Sequence, residues 1–93
     1  MNITHTWELP CYDSRKSFYG KAHVLEDEAG NAYLKSYETI VCCIDASGHF
    51  HRLWSGYSAT TQRHINSFII EFRLSPAYAG KKHWDNMEVE KAC

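Results

Sequence analysis

The stretch Trp54-Ser-Gly-Tyr-Ser-Ala-Thr-Thr-Gln-Arg-His-Ile-Asn-Ser-Phe68 decides the architecture, because within it an alternating pattern gives way to a helical one. Gly56 ends the alternating run. Ser58 or Thr60 supplies an N-cap. Beyond the cap, Thr61, Ile65, Phe68, Ile69 and Phe72 fall at i, i+4, i+7, i+8 and i+11. That spacing makes one apolar stripe and predicts a helix over 58–73. Gln62, Arg63, Asn66 and Ser67 are expected to face mostly away from it. Pro76 is read as the stop.

Upstream, residues 17–54 read as a four-stranded antiparallel meander. Ser17 to Asp27 alternates, with Phe18, Tyr19, Val24 and Leu25 as its large residues. Glu28-Ala-Gly-Asn31 is a turn signal, and Ala32 to Tyr37 returns as the second strand. Thr39 to Asp45 is a third. Its near-continuous apolarity (Ile40, Val41, Cys42, Cys43, Ile44) predicts a central strand covered on both faces. Ala46-Ser-Gly48 turns the chain into a fourth strand, Phe50 to Trp54, with Phe50, Arg52 and Trp54 on one face. Residues 1–16 are a lead-in or a short edge strand, anchored by Trp7 and Tyr12. Residues 80–87 form a short second helix or turn, with Trp84 and Met87 inward, and 88–93 is a frayed tail. The sum is an α+β fold, one domain over 1–93, with one amphipathic helix packed across one face of the sheet.

The 93 residues bury a small core, about 60–65% of the unfolded surface. Ten Lys and Arg stand against eleven Asp and Glu, for a formal charge of −1. Phosphate-driven binding needs clustered cations, and here the clusters are Lys81-Lys82-His83 and, more weakly, Arg15-Lys16. The first fifteen residues carry no secretory leader, and the longest apolar run, Ile40–Ile44, cannot span a membrane. These features lead to the expectation of a cytoplasmic protein in its host cell, with its four cysteines as reduced thiols.

Four segments carry a resemblance: Phe18-Tyr-Gly-Lys-Ala22, Leu34-Lys-Ser-Tyr-Glu-Thr-Ile-Val41, Leu53 to Phe68, and Gly80-Lys-Lys-His-Trp84. They are similar to a family of short domains of unknown function in phages, prophages and plasmids of Gram-positive bacteria. That family shares an SYxTxV strand, an LWxGYSxTTxxHIxEF junction and helix, and a GKxxW tail. The likeness covers residues 18–87 and departs at Ser67, where the family often carries Glu. It implies a mobile-element accessory protein and brings no activity with it. Small phage proteins as a class include inhibitors of host defence, anti-CRISPR proteins among them.

The polar junction around the helix start is the leading site. One reading is helix capping by Ser58 or Thr60, with His64 bonded to a strand or to Tyr57. A second is a helix N-terminus that takes an anionic group with the help of Arg63. A third pairs Thr60 with His64 at i, i+4 as nucleophile and base of a small hydrolase or transferase; no third group is identifiable. Metal binding has little support. Cys11, Cys42, Cys43 and Cys93 lack zinc spacing, which leaves His49 and His51, with His23 on a neighbouring strand. No cofactor is expected. Trp7, Tyr12, Tyr19, Tyr33, Tyr37, Trp54, Tyr57, Tyr78 and Trp84 cannot all be buried under a single helix, and exposed Trp and Tyr beside Arg are typical protein-interface anchors. The expected surface is therefore Arg52, Trp54, Tyr57, Ser58, Thr60, Arg63, His64, Asn66, Lys81, Lys82 and Trp84, facing a protein partner or a second copy. The rival is a nucleic-acid module using Arg52, Arg63, Arg73, Lys81 and Lys82.

Overall fold

The computed structural model describes residues 2–13 and 18–93. The Arg15-Lys16 cluster and the expected strand start at Ser17 lie outside the described residues. Within them the fold is α+β, as expected, but the sheet has five strands rather than four. β1 (Ile3–Glu8), β2 (Ala22–Asp27), β3 (Ala32–Ser36), β4 (Thr39–Ile44) and β5 (Phe50–Arg52) follow one another as an antiparallel meander. α1 (Ala59–Glu71), a 3₁₀ turn (Pro76–Tyr78) and α2 (Lys81–Asn86) complete the chain's regular elements. β1 shows almost no buried face, which is why it lacks an alternating signature. Its Trp7 faces the core and donates to Glu71 Oε2 on α1. Tyr12 donates to the same carboxylate through Oε1, so both expected lead-in anchors are real.

The meander is punctuated by two turns of the same construction. Asp27 Oδ1 accepts from the N–H groups of Ala29 and Asn31. Asp45 Oδ1 accepts from those of Ser47 and His49. In each, the other carboxylate oxygen bonds a side chain six residues on: Tyr33 Oη in the first, His51 Nε2 in the second. Asn31 Oδ1 then accepts from Ala46 N–H and ties the two turns together.

One row of paired residues, Trp7–Val24–Leu34–Cys42–Arg52, crosses the whole sheet on the helix-facing side. Under α1 it meets Ile65, Phe68 and Ile69, with Leu9, Phe18 and Trp84 closing the margins of the core. β4 is an interior strand between β3 and β5, with Val41 to Ile44 all buried, as expected of a strand covered on both faces. Its continuous apolarity has a second source: the pairing slips between Leu34–Cys42 and Lys35–Ile40. The extra residue, Val41, joins Cys42 in the core cluster, while Cys43 is buried outside it.

α1 starts where expected, with Ser58 Oγ accepting from Thr61 N–H. It ends before Pro76 can act. Arg73 stands at φ +56°, donating to Ile70 O, while Leu74 N–H donates to Ile69 O. This is a Schellman closure with arginine in the left-handed position that glycine favours. Arg73→Gly should therefore raise stability by about 0.5–1 kcal/mol, roughly 3–5 °C in Tm. Thermal unfolding of the two chains checks this; an unchanged or lower Tm would count against the strain.

Candidate functional site

Arg52 is the first of the expected surface residues to be placed, and it is interior, 8% exposed. Its Nε donates to Trp54 O at 2.8 Å, Nη1 to Trp84 O at 2.7 Å, and Nη2 to Ser55 O at 2.9 Å and Gly56 O at 3.3 Å. The guanidinium lies 4.5 Å from the centre of the Trp84 ring. Trp84, 1% exposed, donates through Nε1 to Gly56 O. A Cβ on Gly56 would sit 2.4 Å from the Trp54 ring, so the loop closes only over a glycine. Arg52 and Trp84 are thus a fastener between β5, the 54–56 loop and α2, and not an open contact surface.

The start of α1 is equally occupied. Ser36 Oγ bonds Thr61 Oγ1 at 2.9 Å and His64 Nδ1 at 2.7 Å. His64 is 1% exposed, with its ring 4.5 Å from that of Phe18 and 5.7 Å from that of Tyr37. Arg63 grips Asp13 through Nε at 2.7 Å and Nη2 at 3.2 Å, with its guanidinium over Phe18. Gln62 and Ser67, expected to face away from the apolar stripe, are buried, and so is His64, expected on the contact surface. Ser67 Oγ accepts from Tyr12 N–H, and Asn66 Oδ1 accepts from Gln62 Nε2 and from Gly80 N–H. Their polarity serves the lead-in and the 75–80 loop, which pack over a flank that period alone assigns to water.

Exposed at this end are Tyr57, Thr60, Lys81 and Lys82, with Trp54 and Ser58 half-buried. Lys81 stands over the Tyr57 ring and pairs with Asp85. Two further exposed residues come from the nine aromatics that the sequence offers for an interface, outside the expected contact surface. Tyr19 and Tyr37 are 73% and 47% exposed, and both are held at positive φ, +51° and +56°. They are neighbours in the fold, since Tyr37 N–H donates to the carbonyl of Lys21, which closes the turn carrying Tyr19.

On the opposite face, His51 lies between two carboxylates, Asp45 Oδ2 and Glu90 Oε2, each at 2.7 Å. His23 sits on β2, separated from β5 by β3 and β4, and so does not join His49 and His51. The thiol expectation also needs correction: Cys43 and Cys93 form a disulfide, while Cys11 and Cys42 do not. No described helix is long and apolar enough to cross a membrane.

The chain belongs to a family of unknown function, DUF8033, whose model matches residues 8–86. No curated protein and no solved structure gives a significant match.

Two histidines set opposite pH limits. Burial, and then the charge of Arg63, push His64 from 6.5 down to about 4. The unfolded chain therefore binds the extra proton between those values, and stability falls as pH drops through that window. The full effect is on the order of 3 kcal/mol. Asp45, lowered to about 2 chiefly by its bond to His51, extends the loss below pH 3.8. His51 is raised above 6.5, first by Asp45 and also by Glu90. Its contribution is complete below 6.5 and lost as pH rises through the raised value. Denaturant unfolding across pH should show maximal stability near 6.5. His64→Asn should flatten the acid limb and keep the alkaline one; an acid limb parallel to that of the unaltered chain would exclude His64 as its source.

Proposed function

We propose that this is a non-enzymatic accessory domain of a mobile element, acting in the host cytoplasm by binding a protein partner. The partner class is a host or phage protein that handles nucleic acid, a defence nuclease above all. One observation carries the reading. Two exposed tyrosines, Tyr19 and Tyr37, stand in left-handed backbone on segments joined by the hydrogen bond from Tyr37 N–H to Lys21 O, and the Tyr37 ring lies against His64 of α1. Tyr57 is exposed as well, with Lys81 over its ring. Left-handed aromatic residues are strained, and such strain gathers where a surface is shaped for contact. Exposed rigid tyrosines suit a protein interface, giving area at low entropic cost.

The rival readings lose their residues. A phosphate groove needs free cations, yet Arg52 is spent on carbonyls and Arg63 on Asp13. That leaves Arg73, Lys81 and Lys82. A hydrolase using His64 needs substrate within about 3 Å of the ring, and His64 is closed in by Ser36, Phe18 and Tyr37.

The test is the Tyr19→Gly, Tyr37→Gly double variant. It should fold with stability within about 1 kcal/mol, since glycine relieves both strained positions. Capture of a partner by the tagged chain from nuclease-treated host lysate should fall at least tenfold. Capture that survives loss of both rings, or that vanishes with nuclease treatment of the unaltered chain, would contradict the proposal.

A further inference from the structure

The face of the sheet away from α1 carries the row Leu25–Tyr33–Cys43–His51. Residues 88–93 lie against it, although the sequence reads them as a frayed tail. Val89 forms a parallel bridge with Arg52, and Glu90 N–H donates to Arg52 O at 2.8 Å. Glu90 Oε2 meets His51 Nδ1. Cys93 closes the segment onto Cys43, fifty residues earlier. Beneath it is a cleft of about 360 Å³ lined by Tyr33, Ile40, Leu53, Lys91, Ala92 and Cys93.

This segment is held by little besides its disulfide. Residues 88–92 are all exposed. One backbone hydrogen bond and a half-exposed ion pair do not outweigh the entropy of ordering five residues. The seat itself is specific. β5 offers backbone groups along an edge of the sheet, and Asp45 holds the far nitrogen of His51, so the imidazolium can aim its Nδ1–H at a carboxylate. The segment shows in cis what the seat accepts: a chain bridged in parallel to β5 at Val89, with an acidic residue against His51.

We propose that residues 88–93 are a strap latched by Cys43–Cys93, and that a dithiol reductant frees it to leave a strand-addition site at β5 for an extended acidic peptide. The reductant's thiolate attacks Cys93 Sγ, since Cys43 is fully buried and Cys93 is not. Cys43 leaves as a thiolate and takes a proton. The reductant's second thiol then displaces Cys93, which is protonated in turn, and the reductant departs as a disulfide. Two electrons and two protons reach the two cysteines.

Cys42 provides an internal clock, because it is buried on the other face of the same strand, in the core under α1. Pulse alkylation of the full chain with iodoacetamide, read by mass spectrometry, follows both thiols after dithiol treatment. Cys43 is expected to react at least tenfold faster than Cys42. A labelled peptide spanning Met87 to Ala92 is expected to bind the reduced chain and not the oxidised one, and to lose at least fivefold in affinity with Glu90→Gln in the peptide. The proposal is overturned if Cys42 and Cys43 react together. Joint slow reaction means the strap stays down without its bond, and joint fast reaction means the bond holds the whole fold. Equal peptide binding to both redox forms also overturns it.

Discussion

A buried guanidinium without a carboxylate organises this molecule. Arg52 is desolvated and makes its hydrogen bonds to the backbone carbonyls of Trp54, Ser55, Gly56 and Trp84. Four carbonyls from two separate segments must therefore converge on one planar fork. That convergence fixes the loop into α1 and the end of α2 relative to β5. The Trp54 ring over Gly56 and the Trp84 indole on Gly56 O complete the same knot. A second knot, Ser36 with Thr61 and His64, joins the end of β3 to the first turns of α1. Together they explain why so many polar residues crowd residues 52–68. They are internal fasteners of a small domain whose apolar core alone is thin.

How far the sequence revealed this follows from which signals are local. The stripe Thr61–Phe72 and the Ser58 cap were legible, because period and capping chemistry are local properties. So were the turns at 28–31 and 46–48. β1 was ambiguous because its burial comes from Trp7 and not from alternation. The polar flank of α1 was misassigned because its cover, the 9–13 lead-in and the 75–80 loop, is non-local. The strap was missed for the same reason: nothing near Cys93 announces Cys43 as its mate. Sequence reasoning offers as open contacts several groups that the structure buries. It chose Arg52, His64 and Trp84 for their chemistry, and those are the groups the fold consumes. Tyr19 and Tyr37 are legible only as two of the exposed aromatics, because left-handed backbone at a tyrosine leaves no compositional trace.

What remains outside divides into two regions of different character. Tyr19 and Tyr37 are exposed, the latter beside α1, and are where the proposed protein contact lies. The seat under residues 88–93 is conditional and depends on redox state. In a reducing cytoplasm the strap would be open, and in an oxidising setting it would be shut. One small domain can therefore carry a constant contact and a gated one on opposite sides of the same sheet.

The most direct measurement is the stability of Arg52→Lys by denaturant unfolding. Lysine keeps the charge and loses the fork, so it cannot reach the carbonyls of both the 54–56 loop and Trp84. Unpaired buried carbonyls should cost about 2–4 kcal/mol and loosen the Trp54 and Trp84 environments, visible in tryptophan fluorescence. A lysine variant with native fluorescence and a loss below about 0.5 kcal/mol would contradict the claim that this guanidinium organises the fold.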